Sequence, residues 1–282
     1  MKSFWSGAAA IAATLAFAGA ADAAVTTFAS FNATNSGNIV WQNDGTGGTA
    51  NSFRANGTGG SLFTQTNLAA NGYNPNAAVA APVNVKFSFL TDALAPFVTD
   101  VDAKFMMNLS VAATPASQMM VFGQPYVAQW GLAGGFSFKS AHDIVIGNKT
   151  YAAGANLLSA TLINDQTVFG QKNATSGGLS AATSSGATIT YTSDFLDLSN
   201  TTERDAAFSL TAIQSLVNGA NKGLNQATTS NSLRSFRATA TGSFSADIAA
   251  VPEPATWAMM LGGFGLIGAM SRRSQRVKSV LA

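Results

Sequence analysis

Cysteine is missing from all 282 residues, which excludes disulfides, thiolate metal ligands and a thiol nucleophile. Histidine occurs once, as His142, and glutamate only as Glu203 and Glu253. Charged residues make up 10% of the chain, against about 25% in ordinary soluble proteins. Gly, Ala, Ser, Thr and Asn take their place. Between Val25 and Ala250, ten lysines and arginines face ten aspartates and Glu203, a balance of about −1. The pI of 9.0 therefore comes from Lys2 and a C-terminal basic cluster. Nucleic-acid binding has no electrostatic footprint here.

The scarce catalytic residue types are also poorly placed. His142 and Asp143 are adjacent at the mouth of an expected strand, where neighbours point to opposite faces and form no dyad. Ser140 shares the histidine's face, but a pair two apart on one strand has no triad geometry. The aspartates fall mostly at turns and strand ends, so a carboxylate pair for hydrolysis has little support. No catalytic residue, metal ligand or cofactor is assigned. Asp100 with Asp102, and Asp194 with Asp197, carry the oxygen ligands calcium takes, but neither pair follows a recognised loop pattern. Trp41, Trp130, Tyr73, Tyr126 and Tyr151 would stack on sugar rings if one exposed face grouped them.

What is abundant is alternation. Phe105, Met107, Leu109 and Val111 alternate with Lys104, Met106, Asn108 and Ser110, and Val83, Val85, Phe87 and Phe89 with Asn84, Lys86 and Ser88. Both read as half-buried strands. Phe236, Ala238, Ala240 and Phe244 continue the pattern, with a bulge expected at Gly242. Further strands are expected at 25–31, 38–42, 61–66, 119–122, 135–139, 143–146, 157–163 and 188–192. Turn clusters separate them, among them Asp44 to Gly48, Asn56 to Gly60, Asn71-Gly72 and Ser184 to Gly186. Residues 206–218 and those just after Thr91 fit a helix, although Phe208, Leu210 and Ala212 equally fit a strand. The fold class expected for 24–250 is all-β, one antiparallel β-sandwich or jelly-roll domain.

The two ends read differently. Lys2, the apolar run Gly7 to Ala18 and the small-x-small site Ala21-Asp22-Ala23 make residues 1–23 a secretory signal peptide, cut after Ala23. Residues 251–282 open with Pro252-Glu253-Pro254, whose prolines hold Val251 and Glu253 extended. An uncharged apolar run, 255–270, follows, and Arg272, Arg273, Arg276 and Lys278 close the tail. Sixteen residues span roughly 24 Å as a helix, short of a hydrocarbon core of about 30 Å. The flanking arginines nevertheless mark a transmembrane helix with its basic end in the cytoplasm.

These tail residues resemble the PEP-CTERM sorting signal of Gram-negative bacteria. The resemblance rests on Pro252, Glu253, Pro254, Trp257, Ala258, Met259, Met260, Leu261, Gly263, Phe264, Gly265 and Gly268, about a tenth of the chain. It implies processing near Pro-Glu-Pro by an exosortase, a membrane-embedded cysteine peptidase, in hosts that make exopolysaccharide. The expected protein is non-enzymatic, anchored transiently in the inner membrane and then held at the cell surface or in the extracellular matrix. A carbohydrate-binding module is the alternative, and a hydrolase using Asp carboxylates a less favoured third.

Overall fold

The computed structural model describes residues 24–45, 56–65, 80–216, 223–226 and 228–248. The signal-peptide assignment with Ala21 and Ala23, every assignment within 251–282, and Asn71, Gly72 and Tyr73 lie outside the described residues. The strands, in chain order, are β1 (Thr26–Ala33), β2 (Ile39–Asn43), β3 (Gly60–Thr64), β4 (Val83–Phe89), β5 (Val101–Val111), β6 (Ser117–Val121), β7 (Gln124–Ser140), β8 (Ile144–Ile146), β9 (Lys149–Tyr151), β10 (Asn156–Gln171), β11 (Gly177–Ala182), β12 (Thr188–Thr192), β13 (Arg204–Ser215) and β14 (Phe236–Ala246). Among the described residues there is no α-helix, and the one helical element is a 3-10 turn at Thr183–Ser185. No helix among them is long and apolar enough to cross a membrane.

All pairings are antiparallel, and they close on themselves. From β1 the ladder runs through β4, β5, β7, β10, β11, β13 and β14 and returns to β1, where Phe31 faces Gly242. Short strands share edges on the way. β14 pairs β2 at Phe236–Ala238 and β1 beyond, while β5 pairs β4 at one end and β3 at the other. The body is antiparallel β as the alternation implied. The β1–β14 and β5–β7 pairings join edges that an open sandwich leaves free, removing most unpaired backbone from the rim.

The alternating residues named above point inward: Phe105, Met107, Leu109 and Val111 are buried, as are Val83, Val85, Phe87 and Phe89. Phe31, Phe105, Phe138, Phe208 and Phe244, from five strands, meet inside. Phe105 stacks on Phe138 at 4.6 Å and Phe31 lies 4.8 Å from Phe138. Rings spread area burial and edge-to-face contacts over several strands at once. The bulge expected at Gly242 is absent. The β13–β14 register runs unbroken from Arg204↔Ala246 to Thr211↔Thr239, and the β1–β14 irregularity falls instead between Thr27 and Ala29 on β1. Gly242 serves packing: a Cβ there would sit 2.7 Å from Phe31 Cε1.

The ambiguous 206–218 segment is strand β13 through Ser215. Its bulge between Thr211 and Gln214, with Ala212 at φ 50°, turns Ile213 inward and leaves Ala212 exposed. After Thr91 there are only hydrogen-bonded turns, Leu94 N–H and Ala95 N–H donating to Thr91 O. Side-chain amides fasten the segment around Ser232 and Leu233 to the Gly-rich turns. Buried Asn43 Nδ2 donates to Ser232 Oγ and Leu233 O, and its Oδ1 accepts from Gly45 N–H and Gly57 N–H.

Candidate functional site

Strands β6, β7, β10 and β11 present their outer faces to one groove of about 610 Å³. Met119 and Val121 come from β6, Tyr126, Ala128 and Trp130 from β7, Thr167 and Phe169 from β10, and Ser180 and Ala182 from β11. Register explains the grouping, since Met119 pairs Tyr126, Phe169 pairs both Ala128 and Gly178, and Thr167 pairs Ser180. Gln129 and Val168 alternate with these and are buried, and buried Val127 closes the groove floor.

A bulge aims the tryptophan. Between Gln129 and Leu132, β7 has one residue more than β10 has between Val168 and Gln166, and Gly131 there takes φ 78°. Such insertions re-aim a side chain and sharpen the local twist. Gln129 turns in and donates through Nε2 to Thr114 O at 2.8 Å, while Trp130 stays 43% exposed. Phe169, equally exposed, covers Gly178, where an added Cβ would lie 3.0 Å from its Cζ. At the strand ends Gln171 Nε2 donates to Gln124 Oε1 at 3.1 Å. No lining residue is charged. Aromatic faces, hydroxyls and uncharged walls suit a neutral ligand with both apolar and hydroxyl surface.

The aromatic residues singled out from sequence divide. Trp130 and Tyr126 share the groove. Trp41 does not reach it: it is fully buried, and its Nε1–H donates to Leu233 O at 2.8 Å. Tyr151 stacks on Phe195 at 4.1 Å with Lys149 Nζ over its ring, in a separate recess that also holds Asp194 and Asp197. Phe169 and Met119 carry no signal as sugar contacts in the sequence, although Phe169 follows buried Val168 in the alternation of β10.

The acidic candidates are engaged locally. Asp102 pairs with Lys86 across the β4–β5 ladder at 2.8 Å, and that contact holds its carboxyl below the usual range. Asp100 N–H donates to Ser88 Oγ. Asp194 Oδ2 accepts from Asn156 N–H, and Asp197 Oδ1 accepts from Ser199 N–H and Oγ–H, which lowers the Asp197 pKa. Among the described residues no three His, Cys, Asp or Glu side chains gather. His142 is exposed in the turn after β7, and Asp143 Oδ1 accepts from Ala153 N–H.

Where β14 ends, Asp247 ties the chain to the barrel. Its Oδ1 accepts from Thr202 N–H and Glu203 N–H, its Oδ2 from Thr202 Oγ–H, and its own N–H donates to Glu203 O. Burial opposes ionisation there, but these donors outweigh it and hold the carboxyl below its usual range. Only Ile248 to Val251 separate this clasp from Pro252. No curated protein and no solved structure matches the chain. One family comparison does match, and it falls on the tail: residues 250–275 carry a PEP-CTERM protein-sorting motif.

Proposed function

We propose that this is a non-enzymatic exported protein, sorted through residues 251–282 by an exosortase and then held at the cell surface or in the extracellular matrix with exopolysaccharide. The sorting motif at 250–275 carries this reading. Pro252 and Pro254 offer no backbone N–H and keep Glu253 extended, the form a peptidase groove accepts without first unfolding a helix or ladder. The apolar run 255–270 holds the chain in the inner membrane, Arg272, Arg273, Arg276 and Lys278 stop it there, and cleavage releases the barrel. A non-catalytic body fits the lone exposed histidine and the locally bonded aspartates.

Intact-mass spectrometry of the protein from its native host tests this. The expected mass begins after Ala23 and ends near Pro252 to Pro254. A mature protein retaining the tail through Ala282 overturns it. A polymer-binding role is favoured by one observation, exposed Trp130 and Phe169 beside half-buried Tyr126 in an uncharged groove. Retention of the released protein on host polysaccharide supports that role, and free passage through it removes it.

A further inference from the structure

We propose that the free edge of β6 pairs with β6 of a second copy, making one continuous sheet across a two-fold axis. β6 stands at the end of the hydrogen-bonded series. One side of it pairs β7, and along Ser117 to Val121 the other side meets no backbone partner among the described residues. Ser117, Gln118, Met119 and Met120 are all exposed.

The hairpin fixes which backbone groups face outward. Phe122 and Gly123 form a two-residue turn with φ 49° and 75°, closed by the pair Val121–Gln124. The pair closing such a turn is hydrogen-bonded, and bonded and non-bonded pairs then alternate. Met119–Tyr126 and Ser117–Ala128 are therefore bonded pairs. Gln118 and Met120 aim their N–H and C=O groups away from β7. Pro125, opposite Met120, agrees: its carbonyl faces β10 and accepts from Lys172 N–H at 2.8 Å.

An outward row of N–H and C=O groups is satisfied by an extended strand. Exposed edges ordinarily carry charges, proline or a bulge that discourage such pairing. β6 has none of these, and no charged residue occurs anywhere from Phe105 to Phe138. The lack of charge suits a second copy. In a two-fold pairing each residue meets its own kind near the axis, so any charge there would repel itself. Centred on Met119, the pairing sets Gln118 against Met120 of the other copy and uses all four outward groups on each strand. It also covers Met120, now 68% exposed.

The two-fold axis of an antiparallel pair stands perpendicular to the sheet. Both outer faces then lie on one side, and the two grooves, each bordered by Met119 and Val121, become one trough. The pairing does not depend on what that trough binds. With five residues a side, it is weaker than an obligate dimer interface.

The natural absence of cysteine makes the test direct. At the centre of the pairing the two Met119 positions form a non-hydrogen-bonded pair, with Cα atoms about 4.5 Å apart, a separation a disulfide spans. Under mild oxidation the full chain bearing Met119→Cys should become mostly disulfide-linked dimer. Val145→Cys, 58% exposed on the β8–β9 hairpin, should stay monomeric. Equal cross-linking of the two variants, or none in either, overturns the pairing. Sedimentation adds a test needing no cysteine: the unaltered chain should dimerise reversibly, and Met119→Lys should remain monomeric at the same concentrations. An unaltered chain that stays monomeric at every concentration overturns it equally.

Discussion

Phe31 on β1 occupies the space that a side chain at its partner Gly242 on β14 would need, with Cε1 2.7 Å from where a Cβ would lie. The same Cβ would come 2.8 Å from the carbonyl of Ala207 on β13. The glycine thus lets a ring from one strand reach across its neighbour toward Phe208 and Phe244.

Gly242→Ala should consequently destabilise the barrel by about 1–3 kcal/mol, the usual cost of overpacking a filled core. In a Phe31→Leu background the penalty should shrink without vanishing, because the Ala207 carbonyl remains. Thermal unfolding of the four proteins in this double-mutant cycle measures the coupling. Additive effects would remove the ring as the cause.

The tail makes a separate prediction. Replacing Pro252, Glu253 and Pro254 together by alanine should leave export intact and strand the full-length chain in the inner membrane. Neutral residues at Arg272 and Arg273 should weaken retention before cleavage. Fractionation with mass measurement distinguishes the two. A triple-alanine variant shortened as readily as the unaltered chain would reduce the tail to a plain anchor.

Much of this was legible in the sequence because period two survives wherever only one face is covered. β4, β5 and β14 show it cleanly, and the sorting motif reads directly from its prolines, Trp257 and glycines. Three features hid from the pattern. Gly131 and Gly134 in β7 look like turn residues, yet they take φ 78° and 142° inside a 17-residue strand, so local pattern does not report its first half. Gly242 mimics a bulge where it makes room for a ring. Trp41 and Trp130 look alike in sequence, but β2 is buried along most of its length, so alternation there reports nothing. Barrel closure depends on the long-range β1–β14 pairing, which no local pattern encodes.

The two tryptophans should therefore separate experimentally. Trp130→Ala removes an exposed ring, so it should lower affinity for host polysaccharide several-fold and leave the melting temperature nearly unchanged. Trp41→Phe removes one of two donors to the buried Leu233 carbonyl, Asn43 Nδ2 being the other. Losing that bond should cost about 0.5–1.5 kcal/mol of stability without altering binding at temperatures where the barrel is folded. Polysaccharide retention and thermal melting of the same two samples decide it. Equal binding by Trp130→Ala and the unaltered chain would remove the groove as a sugar platform.

Asp247 provides a test by pH. Its carboxylate receives Thr202 N–H, Glu203 N–H and Thr202 Oγ–H, and its folded pKa lies below the usual value. A depressed carboxyl pKa means the folded state favours the ionised form. The stabilisation is therefore fully present above the unfolded-state pKa of about 3.9 and is lost as pH falls through the folded value. Asp247→Asn keeps the size of the side chain but removes the charge. Its melting temperature should fall below that of the unaltered chain at pH 7, and the gap should close as the pH drops from about 4 toward the folded pKa. Asp102 and Asp197, also depressed, titrate in both proteins and cancel in the difference. A gap that stays constant down to pH 2.5 would assign the loss to geometry. A gap that closes assigns it to the carboxylate, which then fixes the end of β14 to the Thr202–Glu203 backbone.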